Sequence, residues 1–252
     1  MSIDLSGQVA VVTGGNGGIG LGFAEGVAES GADVAVWARN ASKSADAVER
    51  LRSLGVRAEA VSCDVADEVS VAAAVADTVD KLGRIDICVA NAGTGGLGQL
   101  QDLSLEEWRR LMSINLDGAF LTLRDCARQM IAQGDGGAMV AISSTSAVHG
   151  APANPHYAAS KTALLGLVRS SAVGLARHGI RVNAVLPGWT RTEMAEDGYQ
   201  NDQFREVTTK RTPVRRWATG DDYRPLAAYL CDRSIDFHTG DTVTFDGGYT
   251  VF

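Results

Sequence analysis

Two short β-branched runs, Gln8 to Thr13 (QVAVVT) and Asp33 to Ala38 (DVAVWA), enclose a glycine-rich turn and one helical stretch. The turn holds glycines 14, 15, 17, 18 and 20, the helix runs from Ile19 to Ser30, and Gly31 stops it. Strand, helix and strand within about thirty residues make a βαβ unit, which commits its two strands to one parallel sheet. Glycines at this turn let backbone N–H groups approach a pyrophosphate at the helix N-terminus. Two spacings fit that use, Gly15-x-Gly17-x-x-Gly20 and Gly14-x-x-x-Gly18-x-Gly20; the competing reading is a plain flexible turn.

The alternation continues to the end of the chain. Periodicity predicts helices over Ala41–Leu54, Asp67–Leu82, about Leu116–Gln133, the segment ending near Arg177, and Asp221–Cys231. It predicts strands over Val56–Ser62, Ile85–Ala90, Ala138–Ser143, Ile180–Leu186 and Thr242–Phe245. Ser104 followed by Glu107 is the capping-box pattern of one more helix. Glu193–Lys210 reads as polar and irregular. Most strands are apolar throughout, as burial on both faces requires. These elements predict an α/β chain with a single doubly wound, Rossmann-type domain over residues 1–252. Its sheet is expected to be mostly parallel and seven-stranded, with helices on both faces.

A chain of 252 residues that is 45% hydrophobic can build such a core. Its net charge of −7, with no Lys/Arg run longer than a dipeptide, argues against a nucleic-acid partner. Cys63, Cys88, Cys126 and Cys231 show no CxxC spacing, so neither a metal site nor a disulfide framework is expected. Reduced thiols and an N-terminus (MSIDLSGQ) without a signal pattern point to the cytoplasm. No apolar run approaches the ~18 residues of a membrane span.

The chemistry-bearing side chains gather in Ser144–Lys161 (STSAVHGAPANPHYAASK). Tyr157 and Lys161 stand four apart on a helical segment and therefore share a face. Ser144 follows a strand and can meet them from the other side. A hydroxyl donor, a phenol and a fixed cation suit proton transfer at an oxygen while hydride moves elsewhere. A cation about 5 Å from the phenol, at an effective dielectric of about 20, is worth roughly 3 kcal/mol. That lowers the phenol's pKa by about two from its ordinary value near ~10. An amphipathic helix pair is the plainer reading of Tyr157 and Lys161 taken alone.

Taken together, these residues resemble the short-chain dehydrogenase/reductase family in its short soluble form. The resemblance runs through Thr13-Gly14-Gly15-Asn16-Gly17-Gly18-Ile19-Gly20, Asp64-Val65, Asn91-Ala92-Gly93, Asn115, Ser144 and Tyr157-x-x-x-Lys161. It continues through Pro187-Gly188, Thr190, Thr192 and Asp246-Gly247-Gly248. It implies that Gly14, Asn16, Gly18, Ile19 and Gly20 hold the pyrophosphate and that Asp64 and Val65 border the adenine. Asn91, with Ala92 and Gly93, would sit by the ribose. Pro187, Gly188, Thr190 and Thr192 would line the nicotinamide. Tyr157 would be the general acid/base, Lys161 would hold the nicotinamide ribose, and Ser144 would donate to the substrate oxygen. Asn115 would hold a water relaying protons to Lys161. Ser143 rivals Ser144, and the family spacing to Tyr157 favours Ser144.

The implied activity is interconversion of a small-molecule secondary alcohol and a ketone with NAD(P). The alternatives are a 3-ketoacyl-thioester reductase of the same family, a non-catalytic nucleotide-binding protein and a serine hydrolase. The last lacks a G-x-S-x-G elbow. Small-residue loops at Thr94–Leu100 and Gly150–Asn154 suggest room for a bulky or cyclic apolar substrate. Aromatics from Trp189 to Trp217 suggest a lid over about residues 189–217. His149 and His156 are candidates for substrate contact rather than catalysis. Arg211, Arg215 and Arg216 could form a basic patch for an acidic carrier, or simply a solvated face. The end of the second strand carries Ala38, Arg39 and Asn40 where an NAD-selective fold places an acid, so NADP(H) is expected to be preferred, with NAD(H) use left open. The family also implies a homo-oligomer, a tetramer through the long helices near 116–133 and 156–177.

Overall fold

A computed structural model describes residues 3–151 and 153–252. Met1, Ser2 and Pro152, the last read above as part of a loop, lie outside the described residues. Seven strands form one all-parallel sheet in the order β3-β2-β1-β4-β5-β6-β7. They are β1 Val9–Thr13, β2 Asp33–Ala38, β3 Ala58–Ser62, β4 Ile87–Ala90, β5 Gly137–Ile142, β6 Ile180–Pro187 and β7 Thr242–Phe245. Strand order reverses between β1 and β4, where Val12 stands beside Val89. A sheet of this kind opens a crevice at the carboxyl ends of its strands at that point.

The helices are α1 Gly18–Glu29, α2 Ala41–Ser53, α3 Glu68–Leu82, α4 Leu105–Met112, α5 Gly118–Gln133, α6 Pro155–Leu175, α7 Glu196–Gln200, α8 Asp202–Arg211 and α9 Arg224–Cys231. They split between the faces. Phe23 and Val27 of α1, Leu51 of α2 and Leu230 of α9 pack with Val12, Val34 and Val89 on one side. Val71 of α3, Cys126 and Met130 of α5 and Leu164 and Val168 of α6 pack with Val11, Cys88 and Met139 on the other. Burial of both faces explains why the strands are apolar without alternation.

Two elements differ from expectation. Glu193–Lys210 is helical: a 3₁₀ turn at Glu193–Ala195 leads into α7 and α8, and Asn201 caps α8 by accepting from Phe204 N. Its aromatic residues are too widely spaced to show a stripe. They meet partners from elsewhere in the chain, Tyr199 meeting Trp217 edge-on at 5.3 Å and Phe204 meeting Trp189 edge-on at 5.0 Å. The second difference is a π-helical turn, Ser113–Asp117, that joins α4 to α5 and carries Asn115. Such turns interrupt the regular hydrogen-bond ladder and recur at functional sites.

Candidate active site

The glycine turn closes by contact. A β-carbon on Gly20 would lie 2.3 Å from the Gly14 carbonyl oxygen and 2.4 Å from Asn91 Nδ2. Asn91 Nδ2 itself donates to the carbonyls of Thr13 (2.9 Å) and Gly14 (3.3 Å). Thr13 Oγ1 accepts from the N–H groups of Asn91 and Ala92, both at 2.9 Å. Asn91, expected by the ribose, thus spends its amide on clamping the ends of β1 and β4 together. Asn16 donates to Ser44 Oγ (3.1 Å), which donates to the Asn40 carbonyl (2.8 Å), so the turn is tied to the start of α2. The roles of Thr13 and Ser44 were not read from the sequence, because their partners are remote along the chain.

The N-terminus of α1 fits an anion. Its N-cap, Gly17, supplies no side-chain cap, and nothing lies within 4 Å of where a Gly17 side chain would point. Uncapped N–H groups at a helix start carry partial positive charge. Ile19 packs against the core beneath, and Thr192 Cγ2 would lie 2.9 Å from a β-carbon on Gly18, which brings the loop after β6 to the same place. At the far corner of the crevice, Arg39 Nη1 stands 3.8 Å from Asp64 Oδ2, both substantially exposed. Val65 is buried against the start of α5. Asp33 sits at the opposite end of β2, where it accepts from Arg57 N and Nε.

Across the crevice, β5 ends in two serines that part ways. Ser143 is buried and donates to the Lys161 carbonyl at 2.7 Å. Ser144 Oγ accepts from Ser146 N at 3.1 Å and lies beside the Tyr157 phenol. Lys161 is buried, with Nζ 2.8 Å from the Ile142 carbonyl and 5.7 Å from the centre of the Tyr157 ring. A side chain at Gly93 would touch both Asn115 Oδ1 (3.3 Å) and Lys161 Nζ (3.4 Å), so its absence keeps that space open.

Four expectations change. Burial pushes the Tyr157 phenol above its ordinary pKa, and the Ser144 hydroxyl opposes this only in part. The same burial brings Lys161 down to about 8, which weakens the cation that was to lower the phenol. Asn115 is fully buried with its amide engaged: Oδ1 accepts from Thr94 N (2.7 Å), and Nδ2 donates to the Thr94 carbonyl (2.9 Å). Thr190, expected along the nicotinamide, turns its hydroxyl inward to Tyr223 (2.7 Å) and the Gly188 carbonyl (3.1 Å). His156 is fully buried, with Nε2 3.6 Å from Glu107 Oε1 and under Gly96, and faces no substrate space.

Arg211, Arg215 and Arg216 do not form one patch. Arg216 pairs with Asp222 at 2.5 Å, Arg215 donates to the Lys210 carbonyl, and Arg211 lies over the ring of Tyr249 at 4.3 Å. Among the described residues no helix is long and apolar enough to cross a membrane.

An anion-ready helix start at the strand reversal and a Ser–Tyr–Lys cluster across from it define a nicotinamide-dependent oxidoreductase. Residues 14–250 match a family model described as enoyl-(acyl carrier protein) reductase. The chain is 36% identical to L-rhamnose 1-dehydrogenase (NAD(P)(+)) of a Sphingomonas strain, over 98% of each chain. It is 35% identical to gluconate 5-dehydrogenase of Gluconobacter oxydans, over 98% of this chain and 96% of the relative. A crystal structure of a gluconate 5-dehydrogenase from Burkholderia cenocepacia, in complex with NADP and tartrate, superposes with a TM-score of 0.94 at 35% identity, covering 100% of this chain and 98% of that one. The chain belongs to the short-chain dehydrogenase/reductase family and is an NAD(P)-dependent oxidoreductase acting on CH–OH groups.

Proposed function

We propose that this enzyme interconverts a secondary alcohol and a ketone with Tyr157 as general acid/base. The observation that carries this reading is the buried Lys161 ammonium, 5.7 Å from the centre of the Tyr157 ring, with the Ser144 hydroxyl beside the phenol. Bound NADP(H) supplies or accepts the hydride. In oxidation Tyr157 takes the proton of the alcohol; in reduction it returns one to the carbonyl oxygen. Ser144 donates to that oxygen. Lys161 opposes the rise that burial imposes on the phenol and holds the nicotinamide ribose. The water that relays protons to Lys161 finds room beside Gly93. With the Asn115 amide occupied by Thr94, the backbone of the π-helical turn is the better holder for that water.

For the cofactor, Gly14, Asn16, Gly18, Ile19 and Gly20 hold the pyrophosphate, and Asp64 and Val65 border the adenine. Asn91, Ala92 and Gly93 form the ribose side. Pro187, Gly188, Thr192 and the backbone of Thr190 form the nicotinamide side. NADP(H) is the preferred form. Arg39 faces the corner that a 2′-phosphate would enter, and no carboxylate ends β2. Its exposed pairing with Asp64 is the kind worth only ~0–1 kcal/mol and is readily exchanged for a phosphate.

The chain works as one domain with residues 189–217 as the substrate lid. It assembles as a homotetramer, for which the exposed Phe120 and Ile131 on α5 and Val173 on α6 supply apolar surface. Four free, buried cysteines fit a cytoplasmic location. A ketoacyl-thioester substrate is the second reading, since the matching family description names acyl carriers. The dispersed arginines weigh against it. The test is reduced-nicotinamide absorbance with purified protein and a panel of secondary alcohols and ketones. Coenzyme binding without turnover of any of them would mark a nucleotide-binding protein without catalysis instead.

A further inference from the structure

We propose that the substrate of this enzyme carries a carboxylate, and that Arg211, lying over the ring of Tyr249, binds it. The proposal rests on the oxidoreductase reading above and names the substrate class for that site.

Five arginines occupy residues 189–217, and they are not alike. Arg191, Arg205 and Arg216 bring their own counterions, Glu196 at 3.5 Å, Asp202 at 2.5 Å and Asp222 at 2.5 Å. Arg215 gives an N–H to the Lys210 carbonyl. Arg211 makes neither kind of contact among the described residues. Its guanidinium carbon lies over the Tyr249 ring, 4.3 Å from the ring centre. A guanidinium carries its five N–H donors in its own plane. The ring contact places the group without taking up a carboxylate or carbonyl partner, so its fork can take a carboxylate in two parallel hydrogen bonds.

Its ring partner ties it to the segments that follow the strands bearing the site. Tyr249 lies just past the end of β7. Its ring is 5.8 Å from that of His149, which follows β5, and 6.3 Å from that of Trp189, which follows β6. Arg211 thus joins a wall built from the carboxyl ends of three adjacent strands, the ends that also deliver Ser144 and the Pro187–Gly188 turn. His149 Nε2 is buried in that wall with no hydrogen-bond partner among the described residues. A hydroxyl on the substrate would satisfy it. The chain carries a net charge of −7, so an anionic substrate needs a local cation to overcome the general field. The apolar substrate suggested by the small-residue loops gives way to a hydroxy acid. The relatives' names leave this choice open, since one names a neutral sugar and the other a sugar acid.

The experiment uses four- to six-carbon aldonates and their aldonamides, pairs of like shape that differ in charge. Turnover with NADP⁺ is read alongside quenching of tryptophan fluorescence by the same compounds without coenzyme, since Trp189 lies in the wall. The wild type should favour at least one acid over its amide by about tenfold or more in KM. Arg211→Gln should raise that acid's KM by roughly 10- to 150-fold, the value of a charge-assisted pair. The amide's KM should move far less, kcat should change little, and quenching by the acid should weaken in parallel. Arg211→Lys should keep part of the preference, and unchanged NADPH affinity would show that both variants are folded. Equal use of acid and amide by the wild type, or equal loss of both in Arg211→Gln, overturns the proposal. Turnover of neutral alcohols or ketones with no aldonate turned over or bound also overturns it and leaves the oxidoreductase reading standing. Absence of NADP(H)-linked turnover with every charged and neutral compound defeats that reading, and this proposal with it.

Discussion

Lys161 is a cation placed where water cannot hydrate it. Burial brings its pKa from the ordinary 10.5 to about 8, although Nζ keeps one hydrogen bond to the Ile142 carbonyl at 2.8 Å. Between those two pH values the unfolded chain binds more protons than the native one, so stability rises with pH across that window. The extra stability is complete above about pH 10.5 and gone below about pH 8. Its size is about 3 kcal/mol, from ~1.4 kcal/mol per pKa unit. Denaturant unfolding of the wild type and Lys161→Met across this range should diverge by that amount; parallel curves would contradict the burial cost. Tyr157→Phe removes only the transferable proton and should lower kcat by ~10²–10⁴-fold with NADPH affinity nearly intact. Retention of more than about a tenth of wild-type kcat would rule out an acid/base role. Arg39→Ala should lower the NADP-to-NAD ratio of kcat/KM by roughly 10- to 150-fold, the value of a charge-assisted hydrogen bond. A wild type that prefers NAD(H), or an unchanged ratio in the variant, counts against the 2′-phosphate role.

At the scale of elements, the seating of α1 is set by what its glycines lack. A β-carbon on Gly26 would lie 2.3 Å from the Arg224 carbonyl oxygen and 2.7 Å from its Cα, so α1 and α9 meet backbone to backbone. Helix propensity alone says that Gly26→Ala should stabilise by ~1 kcal/mol. Overpacking against backbone that cannot rotate away costs ~1–3 kcal/mol. We expect packing to win, with a net loss of up to about 2 kcal/mol read from the urea midpoint. A gain in stability would mean that α9 yields freely. The α7–α8 segment shows the opposite balance. Few of its residues are apolar, yet the aromatic cluster of Trp189, Phe204 and Trp217 holds it helical, with Trp217 Nε1 donating to Thr208 Oγ1 at 2.9 Å.

For the whole molecule, the two faces of the sheet are covered and the outer surface is left with apolar residues to place. Phe120 and Ile131 on α5 and the more exposed Val173 on α6 face outward on the two long helices. Closed symmetry buries such stripes against identical ones. Sedimentation at micromolar concentration should therefore show a tetramer, and a purely monomeric profile would end this view. Phe120→Glu with Ile131→Glu should shift the distribution toward smaller species.

Features that depend on neighbours along the chain were legible without coordinates. The β-branched runs, the glycine turn, the i, i+4 pairing of Tyr157 with Lys161 and the parallel order of the strands follow from local period and steric freedom. The family spacing to Tyr157 favoured Ser144 over Ser143, and Ser143 is spent on the Lys161 carbonyl. The tertiary structure decided how each polar group is spent. Asn91 clamps a carbonyl 78 residues away, Asn115 holds Thr94 across 21, and Thr190 meets Tyr223 across 33. No local pattern encodes such partners, because a hydrogen bond is chosen by whatever the fold brings within reach. The direction of the Tyr157 pKa had the same origin. Charge spacing along the helix argued for a fall, but desolvation belongs to the entire surrounding volume, and it won. Arg211 is the last such case: only the return of the chain past β7 brings Tyr249 beneath it.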